Sequence, residues 1–310
     1  MMKPVIVFGS INMDLVAKTP RLPVPGETLQ GHEFFTAPGG KGANQAVAVA
    51  RLGIPTKMVG RVGSDDFGTQ LGHSLGVTGV DTDSVLVEEG VSSGIAVISV
   101  DEAGENTIIF LAGANGHVNE TDVERLSSLL PGAAVLLIQL EIPMSVVLLA
   151  AAAAQKVGCP VILDPAPAQE LPEELYGMVD IMTPNQLEAS VLVDFPVDTI
   201  ESAKNASEVL LQRGVDTVIV TLGEQGVFCA TGSESFFVPA FSVEAVDTVA
   251  AGDAFNGAMA VAIAKGLPLR QAVVWGAAAG ALAVTKAGAQ PSLPDQETFN
   301  AFLTELGISY

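Results

Sequence analysis

Short runs of β-branched and apolar residues recur along this chain with helix-length segments between them, and no other feature constrains the fold as much. The runs fall at 5–8, 57–60, 135–140, 161–164, 180–182 and 217–221; helical patterning occupies 43–52, 67–75, 144–157, 186–192, 200–213, 252–264 and 269–284. Strands without a polar face have no solvent side, so they belong in a sheet covered on both faces, and alternation with helices makes that sheet mostly parallel. The expected class is α/β, with a mostly parallel central sheet flanked by helices on both faces.

Two regions break the rhythm. Residues 21–37 contain Pro23, Pro25 and Gly26 followed by a polar and aromatic run, and residues 94–100 and 106–112 flank an Asp-Glu-Ala-Gly-Glu turn like a β-hairpin. Both fit extra strands outside the main sheet, forming a small β-sheet lid from insertions at about 12–38 and 92–114 of a single α/β domain spanning 1–310. No internal repeat or low-complexity linker interrupts it.

Composition narrows the function classes. A hydrophobic content of 49% is ample for a core, while 14 Lys and Arg against 35 Asp and Glu give a net charge of -21. General attraction to nucleic acid or anionic lipid is thereby disfavoured, and any phosphate must be held locally by backbone N–H groups, placed cations or metal. The apolar run at the N-terminus is too short for a signal sequence, and the stretches at 146–154 and 277–284 are too short to span a membrane. Cys159 and Cys229 lie far apart without metal-ligand partners, and His32, His73 and His117 share no ligand spacing. A cytoplasmic protein is expected.

The segment Val246–Met259 carries the strongest chemical signal. A small-residue turn, Ala250, Ala251 and Gly252, runs into an apolar helix with Asp253 at the junction. The first N–H groups of a helix lack internal partners and lie at the positive end of its dipole, so such a turn aims donors at an anion. A carboxylate there repels a phosphate, which is tolerable where it accepts the proton of an attacking hydroxyl. Helix-terminal capping is the simpler account of Asp253 taken alone.

Further polar clusters adjoin predicted strands. In Gly9–Asp14, Asn12 and Asp14 have the means to bond neighbouring hydroxyls of a sugar, although Asn-x-Asp also serves ordinary turns. Pro38–Ala46 holds Gly39, Gly40, Lys41, Gly42 and Asn44, a pattern that is neither a Walker A loop nor G-x-G-x-x-G but suits close approach of backbone to ligand. Asn185 and Glu188 have capping-box spacing, which explains both without invoking function. The turn from Thr221 through Gly223 to Gly226 either holds a nucleotide phosphate or simply closes a hairpin.

Taken in order, these segments resemble the ribokinase family of carbohydrate kinases nearly end to end, through Gly9–Asp14, Gly39–Ala46, Gln139–Pro143, Asp164–Ala168, Thr183–Asn185, Thr221–Gly223, Asp247–Asp253 and Gly288–Ser292. The Asp-Thr-x-x-Ala-Gly-Asp element belongs to the wider family, and Gly-Gly-Lys-Gly-Ala-Asn-Gln-Ala points within it toward phosphorylation of D-ribose at O5 by ATP. The resemblance implies Asp253 as general base, with the backbone of Ala250, Ala251, Gly252 and Asp253 as anion hole. It implies sugar binding by Asn12, Asp14, Gly40, Lys41, Gly42, Asn44 and Glu141, and nucleotide binding along Asn185, Thr221, Gly223, Gly226 and Gly252. It places Mg²⁺ at Glu188, largely through water, and a K⁺-like monovalent cation against Asp247, Ser292 and the carbonyls of Val249, Ala283, Lys286 and Gly288. It also implies a homodimer formed through the lid.

Three positions depart from the family pattern: Val249 where a second Thr is common, Gln186 where Glu often follows Asn, and Ala277 where His or Asn often lies near the adenosine. Val249 keeps its carbonyl; Gln186 bears on a Mg²⁺ water contact and Ala277 on nucleotide affinity. The alternatives are a related kinase acting on fructose, deoxyribose or a nucleoside, and a non-catalytic sugar-binding regulator. The polar sugar subsite disfavours a nucleoside, and the intact Asp253 turn disfavours a regulator.

Overall fold

The computed structural model describes residues 2–308. Its strands in chain order are β1 Val5–Phe8, β2 Asn12–Lys18, β3 Glu33–Gly39, β4 Thr56–Gly63, β5 Val80–Glu88, β6 Gly94–Val100, β7 Asn106–Leu111, β8 Val135–Ile138, β9 Val161–Leu163, β10 Ile181–Met182, β11 Thr217–Thr221, β12 Gly226–Thr231 and β13 Ser235–Pro239. The helices are α1 Lys41–Arg51, α2 Asp66–Val77, α3 Glu120–Leu129, α4 Met144–Val157, α5 Glu173–Tyr176, α6 Gln186–Val193, α7 Ile200–Gln212, α8 Ala251–Ala264, α9 Leu269–Ala283, α10 Ala289–Ser292 and α11 Gln296–Glu305.

Nine strands form one sheet in the order β13-β12-β11-β10-β9-β8-β1-β4-β5, parallel except where β12 and β13 double back. Strand β1 shows why both faces are covered. Its alternating side chains divide between two cores, Val5 and Val7 packing with α1, α8 and α9, and Ile6 and Phe8 packing with α3 and α4, all with zero exposure. The expected α/β architecture holds. The sheet is larger than the six predicted runs because β5, β12 and β13 carry polar or small residues that dilute an apolar signal.

Strands β3-β2-β6-β7 form a separate four-stranded sheet, the lid, in which β2 runs parallel to β6 while the outer pairs are antiparallel. The predicted hairpin at 94–100 and 106–112 is β6 and β7. Strand β2 leaves the main sheet directly after β1, so the sugar-site candidates Asn12 and Asp14 lie within the lid's own strand. No helix among the described residues is long and apolar enough to cross a membrane.

Helix packing fixes the active groups relative to one another. At Gly257, one turn beyond Asp253 on α8, a Cβ would come within 2.5 Å of the Ala48 methyl on α1. The absence of a side chain lets the two helices touch, and Asn44 and Gln45, one turn earlier on α1, meet Asp253.

Candidate active site

The C-terminal ends of β1, β8, β9, β10 and β11 open on one edge of the sheet, where open α/β sheets place their ligands. A cavity of about 190 Å³ lies there, its wall including Lys41, Asp164, Glu188, Thr221, Ala250 and Asp253. A second cavity, about 160 Å³, lies at the opposite ends of the strands near Cys159 and Asp180, away from every polar cluster read in the sequence.

Helix α8 begins at Ala251, and its cap Ala250 takes a left-handed conformation at φ 59°. This is an uncommon backbone for a residue with a side chain, and such strain gathers at functional turns. The first intrahelical bond runs from Ala254 N–H to Ala250 O (2.8 Å), and Ala251 N–H donates to Thr248 O (3.3 Å). The N–H groups of Gly252 and Asp253 precede any helical partner, on the cavity wall. A Cβ on Gly252 would meet nothing within 4 Å, so the turn opens onto space.

Asp253 itself is buried, and two amides hold it. Asn44 Nδ2 donates to Oδ2 at 2.9 Å and Gln45 Nε2 donates to Oδ1 at 3.1 Å. Burial raises its pKa, against the pull of Lys41 and of the two amide hydrogen bonds. A carboxyl moved toward neutrality in this way is a stronger proton acceptor than an exposed aspartate. Asp253 is the acid of the first turn of α8, and its carboxylate is also tied to α1 through Asn44 and Gln45, which a helix-terminal role alone does not require.

Lys41 stands at the centre of a carboxylate ring. Burial alone would lower its ammonium, but Asp164, Asp253, Glu141 and Glu188 outweigh that and hold it above its ordinary range. It opens α1 rather than sitting in a flexible loop, behind Gly40 at φ 90°. A Cβ on Gly40 would fall 2.7 Å from Asn12 N, and one on Gly42 2.7 Å from Ser10 N, so the run of glycines serves contact with the β1–β2 turn.

Glu141 gathers this corner. Its Oε2 accepts from Ser10 Oγ (2.5 Å), Asn12 Nδ2 (3.3 Å) and Lys41 N–H (3.2 Å). Asp14 packs against Gly39, where a Cβ would lie 2.3 Å from its Oδ2, and burial, then repulsion from Glu141 and Asp253, pushes its pKa up to about 7. Asn44 Oδ1 is buried without a partner, an acceptor left over beside Asp253. Asn12, Asp14, Gly40, Lys41, Gly42, Asn44 and Glu141 thus come together.

The remaining predicted residues divide. Asn185 and Glu188 form the reciprocal capping box at the start of α6, with Asn185 N–H and Nδ2 each 2.8 Å from a Glu188 oxygen, and Glu188 also borders the cavity. Thr221 lines the cavity too; Gly223 lies in the exposed turn of the β11–β12 hairpin and Gly226 is buried at its base, facing Pro239. Asp247 joins two loops, accepting from Val249 N–H (3.0 Å) and Gly288 N–H (2.8 Å), while its own N–H bonds Val284 O (3.2 Å). Ser292 is buried, its hydroxyl donating to Ala289 O at 2.8 Å. Both carboxylate oxygens of Asp247 are thus engaged by backbone N–H groups, which ties the 247–249 segment to Gly288.

Sequence reasoning gave no role to several residues that the fold brings here. Gln45 bonds both Asp253 and Asp164, and Gln139 bonds Gln45. Asn115 reaches from the end of the lid to Ile11 N–H (2.9 Å) and Asn12 Oδ1 (2.7 Å). Gln45 had one usable signal, its place four residues after Lys41 on the same helical face; Asn115 reads as loop.

The carbohydrate-kinase expectation meets the comparisons here. The model of the pfkB family carbohydrate kinases matches residues 2–296. A ribokinase of Haemophilus influenzae is 42% identical over 303 residues, covering 98% of this chain and 99% of its own, and a ribokinase of Schizosaccharomyces pombe is 41% identical, covering 94% of both. The structure of Arabidopsis thaliana ribokinase complexed with ribose and ATP superposes with a TM-score of 0.90 at 36% identity, covering 98% of this chain and 99% of that one. Matches spanning the glycine-rich entry to α1, the lid and the Asp253 turn together leave one conclusion: the chain belongs to the pfkB family of carbohydrate kinases.

Proposed function

We propose that this protein transfers the γ-phosphoryl group of ATP to O5 of D-ribose, giving D-ribose 5-phosphate and ADP. The observation that carries the reading is the buried Asp253 carboxylate, held by two amides where α8 begins and adjoining the polar set Asn12, Asp14, Lys41, Asn44 and Glu141. Near-full-length identity of about 40% to ribokinases supports it.

In this reading Asn12, Asp14, Lys41, Asn44 and Glu141, with the close backbone of Gly40 and Gly42, bind the sugar hydroxyls, the unpartnered Asn44 Oδ1 accepting one of them. Asp253 accepts the O5 proton as that oxygen forms its bond to phosphorus, and the bond to the ADP oxygen breaks in line. Negative charge spreading over the transferring group meets the N–H groups of Gly252 and Asp253 in the Ala250–Ala251 turn and the Lys41 ammonium. Asn185, Thr221, Gly223 and Gly226 lie along the nucleotide. The lid, carrying Asn12 and Asp14 on β2, closes over the sugar and excludes water.

Two ions fit these residues. Glu188 would hold Mg²⁺, largely through water, and the ion would neutralise phosphate charge. Asp247, Ser292 and the carbonyls of Val249, Ala283, Lys286 and Gly288 hold K⁺, which supplies a fixed positive charge beside the turn. The apolar side chains Phe34, Ile108, Ile109 and Leu111, exposed on the lid, support a homodimer through that sheet. Two free buried cysteines suit the cytoplasm.

The test is a coupled assay of ADP release against pentoses, 2-deoxyribose, hexoses and nucleosides, with and without K⁺. D-ribose is expected to show the highest kcat/KM. Adenosine or fructose exceeding it tenfold would overturn the assignment.

A further inference from the structure

Behind the reacting carboxylate lies a pair of glutamines that the mechanism above does not use. Gln45, on α1, has zero exposure, and so does Gln139, just beyond β8. Gln139 Nε2 donates to Gln45 Oε1 at 2.6 Å, while Gln45 Nε2 donates to Asp253 Oδ1 at 3.1 Å and to Asp164 Oδ2 at 2.8 Å. The chain of bonds has one consistent direction. With its oxygen committed to Gln139, Gln45 turns both amide hydrogens toward carboxylates, and a flipped Gln45 would set oxygen against oxygen. Gln139 packs against the β1–β2 turn, where a Cβ on Gly9 would lie 2.0 Å from its Oε1, an oxygen buried without a hydrogen-bond partner.

We infer that Gln45, oriented by Gln139, is a positioning residue for the phosphoryl transfer: it pins the Asp253 carboxylate in its rotamer through Oδ1 while bonding a second buried acid, Asp164. The inference rests on the proposed kinase reading. Asn44 fixes one oxygen of Asp253 and Gln45 the other, so the carboxylate is tied at two points and the free lone pairs face the cavity side. Both amides favour the charged form, which burial opposes. The charged groups facing Asp253 are Lys41 on α1, Glu141 beyond β8, Asp164 beyond β9, Glu188 on α6 and Asp14 on β2. All of them survive replacement of Gln45, so a changed titration reports the donor lost to Asp253 and Asp164 together.

Gln45→Met keeps length and volume but removes donor and acceptor, and Gln139→Met removes the orienting bond only. With saturating ATP and ribose, Gln45→Met is expected to lower kcat about ten- to a hundredfold, the loss of one buried hydrogen bond to a charged group, with the Kd for ribose by calorimetry changed less than threefold. The acid limb of its kcat profile should move to higher pH. Gln139→Met should lower kcat less, move the limb the same way, and add nothing in the double variant, because it acts through Gln45. Should Gln45→Met fail to fold, the limb of Gln139→Met alone decides. An unmoved acid limb, a ribose Kd that rises in step with the loss of kcat, or additive effects would overturn the inference. A wild-type enzyme that does not phosphorylate ribose would instead overturn the kinase reading.

Discussion

Exchanging Asp253 for asparagine separates the two roles open to a carboxylate at the head of a helix. The side chain keeps its shape, but one oxygen becomes an NH₂ that faces an amide donor. If it faces Asn44, the Asn44 amide can rotate and offer Oδ1, which has no partner in the folded protein. Gln45 then still donates to the remaining oxygen. The loss of a buried negative charge removes its burial cost and its repulsion with Glu141, Asp164, Glu188 and Asp14, which together outweigh the lost attraction to Lys41. Stability should therefore change by no more than ~1 kcal/mol, with the melting temperature equal or slightly raised at neutral pH. Catalysis should respond differently. An amide cannot take the O5 proton, so kcat falls roughly 10²–10⁴-fold, equivalent to about 3–5.5 kcal/mol of transition-state stabilisation. Rotation of Asn44 also removes a sugar acceptor, so ribose KM rises, by about tenfold at most. Steady-state ADP release, calorimetric titration with ribose and thermal unfolding of one preparation measure all three. A variant that retains more than a tenth of wild-type kcat would refute the role of Asp253 as base.

Asp14, its pKa pushed up to about 7 by burial and neighbouring acids, makes a second test. A raised carboxyl favours folding below the unfolded value near 3.8 and loses that contribution as pH climbs through 7, so Asp14→Asn should raise the melting temperature of the sugar-free protein at pH 8, by on the order of 2 °C, and have less effect at pH 5. The same variant should weaken ribose binding roughly 10- to 100-fold at pH 8, where Asp14 is charged; an unchanged KM there would remove Asp14 from the sugar subsite. At equal ionic strength, K⁺ should support a higher rate than Li⁺ or a bulky organic cation, because a cation held at Asp247, as proposed above, would supply a fixed positive charge beside the Asp253 turn. Equal rates in all three would dispense with that site.

Strand β1 was legible because Val5-Ile-Val-Phe8 is apolar on both faces, and the Asp253 turn because its elements are contiguous in sequence. The same reasoning missed α3, although Asn119 and Asp122 supply a capping box, because its body, Glu120–Leu129, alternates acids with apolar residues and reads as polar. Glu188 illustrates a double meaning: capping and proximity to the cavity are both present, and sequence spacing reveals only the first. Gln45 and Asp253 are 208 positions apart, and Asn115 and Asn12 are 103 apart. Nothing local in either sequence segment specifies such partners; they follow from helix α1 touching α8 and from the lid returning to β1.

The ring of acids around Lys41 also makes entry and exit unequal. A neutral polyol approaches Asp14, Glu141, Asp164 and Asp253 without electrostatic penalty, and its hydroxyls can donate to lone pairs left free on these oxygens. Once phosphorylated, the same molecule carries nearly two negative charges at neutral pH against the same acids, with a single lysine to offset them. Turnover thus converts a welcome guest into a repelled one, a built-in bias toward product departure.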